Sequence, residues 1–415
     1  MNTSLEALDC NFVNLDSPTT KQIIAAFCIL DGVPDFKLLA ARIEQMVADF
    51  PRLQQKPRPG FDGYYWQCEE KFDLTKHWFI RQVESSDVLD LKRTAEELLS
   101  NGFDFSIPPW RFAFIQGLGK TVAFLMIHHC LADGLGGYEL LNALCDKKTI
   151  DKTKSQAVQH RHPLSKKLIF TDYCKAYLPI LTELFRSRTN SPINGRNSNL
   201  RHILTFTFTL SEFKTCKATL KCSLNQLFLS LVCNSLTRYF AQKNVTPSSI
   251  RPIIPVNMRL HVNRYTLGNH LTGVAVELPL IPNSILEQVQ VIKSRWDKIE
   301  AKRLYGFYGL LGKLNSYLPR AWQIKLCQVF AKKTSFICTN IPGPHEQQFL
   351  AGAPIVATYG LPALMYGHGL GFSLLTYNHH AHLAVVIDPQ VITDENILKQ
   401  CIIDTQAELV DQQNQ

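Results

Sequence analysis

Two adjacent histidines in the stretch FLMIHHCLADGLGG, residues 124–137, are the side chains best suited to chemistry in this sequence. His128 and His129 end an apolar run, and Asp133 and Gly134 follow closely. An imidazole has an ordinary pKa of about 6.5, so it can accept a proton at neutral pH. The segment therefore predicts a general base, with a polar strand end followed by a helix cap as the alternative.

The alternation of side chains along a strand predicts different roles for the two histidines. If the run VAFLMIHH is a strand, His128 and His129 point to opposite faces, so only one of them can face a given cavity. Asp133 is expected to fix the local turn through an ion pair or backbone N–H groups. Gly134 is expected to supply a backbone conformation that other residues resist.

Apolar runs and helical stripes on both sides of this segment predict an α/β chain of two domains. Residues 201–415 continue the alternation of strands and helices seen in residues 1–145, and residues 146–200 between them are rich in polar and basic residues. An apolar stretch at 164–185 in this connector predicts a packed helix or, alternatively, a helix lying on a membrane surface.

Before the connector we predict strands at 21–30, 111–117 and 121–129 and helices at 35–50, 87–99 and 137–144. After it we predict strands at 201–210, 250–256, 270–280, 334–340, 354–360, 370–377 and 382–388 and helices at 223–240 and after Pro282, the last with a stripe of Ile285, Val289, Ile292, Trp296 and Ile299.

Composition narrows the class of protein. The 415 residues carry a formal charge of +9, which favours an anionic partner such as a phosphate-bearing cosubstrate or a lipid head group. Nucleic acid is not expected, since no compact Lys/Arg block is interleaved with aromatics. Twelve scattered cysteines without a Cys-x-x-Cys pair, together with an N-terminus unlike a secretion signal, predict a cytoplasmic protein. Peripheral association with the inner membrane is a second option.

The heptapeptide His-His-x-x-x-Asp-Gly resembles the hallmark of the CoA-dependent acyltransferase superfamily. Further segments resemble, in order, motifs of the bacterial wax ester synthase/diacylglycerol acyltransferase family: LDCNFVNLDSP, PPWRFAFIQGL, LNQLFLSLV, IPVNMR, LGNHLTGVAVELPL and TNIPGP. This resemblance implies two chloramphenicol-acetyltransferase-like lobes with mixed sheets and an active-site tunnel between them. The domains would be residues 1–145, a connector at 146–200, and residues 201–415.

Matching motif by motif, the resemblance implies roles for individual residues. His129 resembles the general base, supported by His128, Asp133 and Gly134, and Arg259 is the candidate ion-pair partner of Asp133. Gln226 stands where the family has an Asp, which leaves the role of the Asn-Asp pair open. Candidate substrate-pocket residues are Pro109, Trp110, Asn225, Asn269 and Asn340.

The function implied is an acyl-CoA-dependent O-acyltransferase that forms a wax ester or a triacylglycerol. Acyl-CoA would be the cosubstrate, a long-chain alcohol or diacylglycerol the acceptor, and no cofactor would be bound permanently; association with a membrane or lipid-droplet surface fits such an acceptor. Two alternatives stay open. One is a condensation-type enzyme that takes an acyl group from a carrier protein to an amine or specialised alcohol, and the other is a catalytically silent module that binds an acyl ligand.

Two other groups of residues invite a chemical interpretation that we do not favour. His379, His380 and His382 resemble a metal cluster, but neighbouring strand residues diverge and no Cys or acidic residue stands beside them, so no metal is expected. Cys130 is expected to be a small packed residue rather than a nucleophile.

Overall fold

The computed structural model describes residues 3–61, 63–85, 87–146, 191–259, 267–281, 285–301, 311–312, 314–315 and 317–411. The strands are β1 (Thr3–Ser4), β2 (Ile23–Asp31), β3 (Gln55–Gly60), β4 (Gly63–Cys68), β5 (Trp78–Gln82), β6 (Trp110–Gln116), β7 (Lys120–His128), β8 (His202–Thr209), β9 (Ser249–Ile250), β10 (Pro252–Asn257), β11 (Leu271–Ala275), β12 (Leu278–Pro279), β13 (Phe336–Pro342), β14 (Phe349–Leu350), β15 (Ala353–Leu361), β16 (Leu370–Tyr377) and β17 (His380–Ile387). The helices are α1 (Ala7–Leu15), α2 (Phe36–Asp49), α3 (Val88–Asn101), α4 (Gly134–Leu144), α5 (Leu210–Thr219), α6 (Leu224–Gln242), α7 (Ile285–Ala301), α8 (Arg320–Ala331) and α9 (Glu395–Asp411).

The first large sheet has the strand order β14-β15-β2-β7-β6-β5. Its central strand β7 is buried from Thr121 to His128, as expected for a strand covered on both faces. β15 pairs antiparallel with β2, although the two strands are more than 300 residues apart in sequence. The expectation that all of residues 201–415 belong to the second lobe is therefore wrong for β14 and β15. Pairing between such distant segments leaves no local pattern in the sequence.

The second large sheet has the order β11-β10-β13-β16-β17-β8 and mixes parallel and antiparallel pairs. One apolar core lies between this sheet and the helices α5, α6, α7 and α9. The predicted stripe of α7 is confirmed, since Ile285, Val289 and Ile292 are buried in that core. The mixed α/β fold with two such sheets is the fold class expected from the sequence.

Most of the elements predicted from periodicity are present, with small shifts at their ends. The single strand predicted at 270–280 is instead divided into β11 and β12, which belong to different sheets. Helix α2 begins after Asp35, whose carboxylate accepts from the backbone N–H groups of Lys37 and Leu38, and it ends before Pro51. The hairpin formed by β3 and β4 was not predicted, because Pro57 and Pro59 in β3 are untypical of strands. Helix α1, which proves important below, was also not predicted.

The connector helix predicted at 164–185 lies outside the described residues. Within the part of the chain that the structure describes, no helix combines the length and the apolarity needed to cross a lipid bilayer.

Candidate active site

His129 lies directly after β7, at the point where the chain leaves the first sheet. Its backbone N–H donates to the carbonyl of Gln22 over 2.7 Å, so the residue stays attached to the end of β2. The predicted divergence of the two histidines is what the structure shows. The side chain of His129 lines a cavity, whereas His128 is completely buried.

Asn269 holds the His129 ring from the other half of the chain. The Asn269 Nδ2 group donates to Asp9 Oδ1 over 2.8 Å and to the backbone carbonyl of His129 over 2.5 Å. Its Oδ1 therefore faces His129 Nδ1, 2.9 Å away, and can only accept. The proton of a neutral His129 must then reside on Nδ1, and Nε2 carries a lone pair.

The ring of His129 is also packed and desolvated. Phe12 of α1 stacks on it with a centroid separation of 3.8 Å and an interplanar angle of 6°. Burial lowers the pKa of His129 to about 4, although the nearby charge of Asp133 opposes this effect. The imidazole is consequently neutral at pH 7, as a general base must be.

Asp9 is a buried carboxyl that Asn269 links to His129. Burial raises the pKa of Asp9 to about 7, although the hydrogen bond from Asn269 acts in the opposite direction. The carboxyl therefore changes charge near neutral pH. Its bond to Asn269 couples that charge to the ring of His129.

The contacts of His128 stabilise the local structure around it. Its Nδ1 accepts from the backbone N–H of Cys130 over 3.2 Å, and its Nε2 lies 3.5 Å from Asp16 Oδ1. Phe105 packs edge-on against the ring. These contacts fix the turn that aims His129 at the cavity.

Asp133 caps helix α4 and joins the two halves of the chain. Its Oδ1 accepts from the Gly136 N–H over 2.9 Å and from Arg259 Nη2 over 2.5 Å, and its Oδ2 accepts from the His270 N–H over 3.0 Å. The expected ion pair with Arg259 is thus present, with both side chains buried. A carboxylate occupied in this way positions the site and places a negative charge near His129.

Residues 267–270 bind the segment after the histidines almost residue by residue. The Gly268 N–H donates to the Leu131 carbonyl over 2.7 Å, and the Asp133 N–H donates to the Gly268 carbonyl over 3.3 Å. Asn269 and His270 make the contacts described above. Because this one segment positions both His129 and Asp133, the geometry of the site depends on the contact between the two halves.

The reason expected for Gly134 was wrong. Gly134 does not have a left-handed backbone; it is the first residue of α4. A Cβ at this position would lie 3.1 Å from Ile341 Cδ1, and one at Gly136 would lie 2.9 Å from the Cβ of Ala132. At Gly136 the close approach of Ala132 leaves no room for a side chain, whereas a Cβ at Gly134 would require the end of the Ile341 side chain to shift slightly.

The cavity beside His129 has mostly apolar walls and extends to both large sheets. Ile24, Leu125 and Ile127 contribute from the first sheet, and α4 contributes Tyr138, Leu140 and Leu141. Pro255, Ile337, Thr339 and Ser373 contribute from the second sheet. Such walls suit an alkyl chain, since each buried methylene contributes about 0.8 kcal/mol.

Of the five candidate pocket residues, only Asn269 contacts His129. Trp110 is fully buried, donates through Nε1 to the Leu53 carbonyl and packs on His77, and the carbonyl of Pro109 accepts from the His128 N–H. Both are therefore structural. Asn225 lies in the first turn of α6, and Asn340 alternates with the cavity-lining Thr339 and Ile341 along β13. Neither asparagine lines the cavity.

The glutamine at position 226 is explained by its hydrogen bonds at the start of α6. Its backbone N–H donates to Ser223 Oγ over 3.2 Å, and its Oε1 accepts from the Ser223 N–H over 2.8 Å. This reciprocal arrangement is a capping box at the start of α6. A glutamine at this position therefore stabilises the helix end.

The other reactive residues do not form a second site. Asn378 and His379 occupy the left-handed turn between β16 and β17, and His382 is buried beside Thr207. Among the described residues, no three His, Cys, Asp or Glu side chains are grouped closely enough to hold a metal ion. Burial raises the pKa of Cys130 well above its usual range, so this thiol is a poor nucleophile.

Two functional residues were missed at the sequence level, Asp9 and Phe12. Both belong to the segment LDCNFVNLDSP, which carried part of the family resemblance but received no assigned roles. They are three residues apart on α1, so they lie on the same face of the helix. That spacing was the available signal.

Comparison with known proteins supports one family. Residues 5–172 match a sequence profile described as the wax ester synthase/diacylglycerol acyltransferase catalytic domain, and residues 267–409 match the WS/DGAT C-terminal domain. A probable diacylglycerol O-acyltransferase of Mycobacterium tuberculosis is 22% identical over 98% of this chain and 95% of its own length. An O-acyltransferase of Acinetobacter baylyi is 21% identical over 90% of this chain and 89% of its own.

Solved structures show the same fold. A wax ester synthase/diacylglycerol acyltransferase from Marinobacter aquaeolei superimposes with a TM-score of 0.72 at 14% identity, covering 100% of both chains. The first condensation domain of the CDA synthetase superimposes with a TM-score of 0.69 at 13% identity, covering 99% of this chain and 96% of that domain.

Proposed function

The chain belongs to the wax ester synthase/diacylglycerol acyltransferase family and is an acyl-CoA-dependent O-acyltransferase, and we propose that His129 is its general base. One observation carries the assignment of the base. His129 is neutral, its Nδ1–H is held by Asn269, and among the described residues none bonds to its Nε2. The long-chain acceptor, an alcohol or a diacylglycerol, is proposed from the family and from the apolar cavity.

The proton balance of the proposed transfer involves a single ring nitrogen. His129 Nε2 takes the proton of the acceptor hydroxyl while the oxygen attacks the thioester carbonyl. The carbon–sulfur bond then breaks, and the same nitrogen returns the proton to the departing thiolate. No acyl-enzyme is formed, which agrees with the inert environment of Cys130.

Charges around the ring favour the state in which it is protonated. The buried Asp133 carboxylate stabilises the imidazolium that forms during attack, and Asn269 keeps the ring oriented. Gly134, at the N-terminus of α4, lines the cavity next to the base.

A carrier-bound acyl donor is the second candidate, because the condensation domain shares this fold. A catalytically silent module is the weaker alternative, since the base and its supporting contacts are all present. The scattered cysteines, with no Cys-x-x-Cys pair in the sequence, support the proposed cytoplasmic location. Division of the chain into lobes at 145 and 200, with the exception of β14 and β15, also stays a proposal.

The proposed acyl transfer is tested by supplying an acyl donor together with an acceptor alcohol. Purified protein receives palmitoyl-CoA with hexadecanol or diacylglycerol, and thiol release is followed together with the ester product. We expect free thiol and ester product to form in equal amounts. Release of thiol only from a carrier-bound acyl donor would favour the condensation-type enzyme, and acyl-ligand binding without ester formation from either donor would favour the silent module.

A further inference from the structure

Helix α8 presents apolar side chains outward and a polar one inward. Trp322, Leu326 and Val329 are 59%, 43% and 41% exposed, whereas Gln323 is buried. With 3.6 residues per turn, the three exposed side chains fall within an arc of about 60°. Tyr317, just before the helix, is 84% exposed. We call Tyr317, Trp322, Leu326 and Val329 the Trp322 face.

This placement of apolar and polar side chains is the opposite of that usually found in a solvent-exposed helix. A surface helix normally buries its apolar stripe and exposes its polar side chains. In α8 the inward Gln323 accepts a hydrogen bond from Asn14 of α1 over 2.6 Å. The Trp322 face is therefore placed to contact something apolar outside the chain.

The charge around the Trp322 face identifies the kind of partner. Residues 317–333 contain four basic residues and no acidic one. Arg320 and Lys325 are exposed, and the Lys325 ammonium lies 5.7 Å from the centroid of the Trp322 ring. An aromatic and aliphatic face bordered by Lys and Arg matches the boundary between acyl chains and anionic head groups.

The Trp322 face lies close to the active site through one helix. Asn11 and Asn14 of α1 contact Asn315 and Gln323, and Phe12 of the same helix stacks on His129. A surface bound at α8 would thus lie one helix away from the catalytic imidazole.

We propose that the Trp322 face docks on an anionic phospholipid surface and so brings lipid acceptors to His129. Docking itself depends only on the surface of α8. The part of the proposal that concerns acceptor delivery rests on the proposed acyl transfer.

The test compares two variants in vesicle flotation. Trp322→Glu/Leu326→Glu places charges on the Trp322 face, and Leu118→Glu is the control, because Leu118 is 68% exposed on the turn between β6 and β7. Vesicles are either pure phosphatidylcholine or phosphatidylcholine with three tenths phosphatidylglycerol. We expect wild type and Leu118→Glu to float with the anionic vesicles, and the double variant to bind them about tenfold more weakly or worse.

Activity provides the second measurement. With a short, water-soluble alcohol the double variant should transfer acyl groups at the wild-type rate, which shows that it is folded. With diacylglycerol embedded in anionic vesicles its rate should fall about tenfold.

Three results would overturn the proposal. They are equal binding of wild type and double variant to the anionic vesicles, failure of wild type to float with them, and a wild-type dimer in light scattering that the double variant loses. Absence of acyl transfer with every acceptor would instead count against the proposed function, since flotation does not depend on activity.

Discussion

Two buried histidines, His129 between the two halves of the chain and His382 within the second sheet, show what distinguishes the proposed base from a packed ring. Burial lowers the pKa of both to about 4, and each has Nδ1 engaged by a neighbour. His382 Nε2 is enclosed without a hydrogen-bond partner, whereas the ring of His129 lines the cavity. A lowered pKa is therefore common to both histidines. They differ in whether Nε2 can be reached from a cavity.

Exchanging each histidine for glutamine gives the largest expected difference. His129→Gln should lower kcat about 10²- to 10⁴-fold, because the acceptor loses its base. His382→Gln should leave kcat within about twofold of wild type, since the His382 ring does not line the cavity. Thiol release from acyl-CoA measures both, and equal losses would remove the distinction.

The interaction of Asn269 with Nδ1 gives the next largest effect. Asn269→Ala should lower kcat by about ten- to a hundredfold, because the ring loses the bond that fixes its tautomer and Asp9 loses its partner. KM for acyl-CoA should change little. Asn340→Ala is the matched control, since Asn340 does not line the cavity, and a comparable loss of kcat there would indicate general destabilisation.

The alternation of a strand was enough to predict that His128 and His129 diverge, and apolar runs were enough to predict β2, β6, β7, β8 and β13 to within a few residues. The contact of residues 267–270 with the segment after the histidines could not be predicted from periodicity. It depends on single hydrogen bonds between segments more than 130 residues apart in sequence. The Arg259–Asp133 pair was expected from family resemblance alone.

Asp9 and the Trp322 face escaped prediction for different reasons. The role of Asp9 depends on burial, which raises its pKa, and burial is a property of the packed fold. The stripe on α8 has the same period as a core-facing stripe. The sequence cannot indicate which side of an amphipathic helix faces outward.

Asp9 should affect activity through pH. Its pKa is raised to about 7, so the carboxylate forms as pH rises through that value and then stabilises the protonated His129 through Asn269. We expect kcat/KM to rise about threefold as the pH increases through 7. In Asp9→Asn this step should be absent while most of the activity at pH 6 remains. A step of unchanged size in the variant would assign it to another group.

The buried histidines should also make stability depend on pH, which gives the smallest effect. His129, His368 and His382 have folded pKa values of about 4, below the unfolded value of about 6.5, so the unfolded chain binds more protons between these values. Stability contributed by these groups is therefore lost as pH falls from about 6.5 to about 4. His382→Gln should reduce the resulting decrease in Tm by about 2 °C, measured by calorimetry between these limits. An unchanged decrease would show that His382 is not desolvated.

The state of the His129 ring is most directly measured by nitrogen NMR of protein labelled with ¹⁵N-histidine, with His129→Gln used to assign its signals. At pH 7 the account predicts a neutral ring with the proton on Nδ1 and a bare Nε2, unchanged until the pH approaches about 4. An imidazolium at pH 7, or a neutral ring protonated on Nε2, would contradict it.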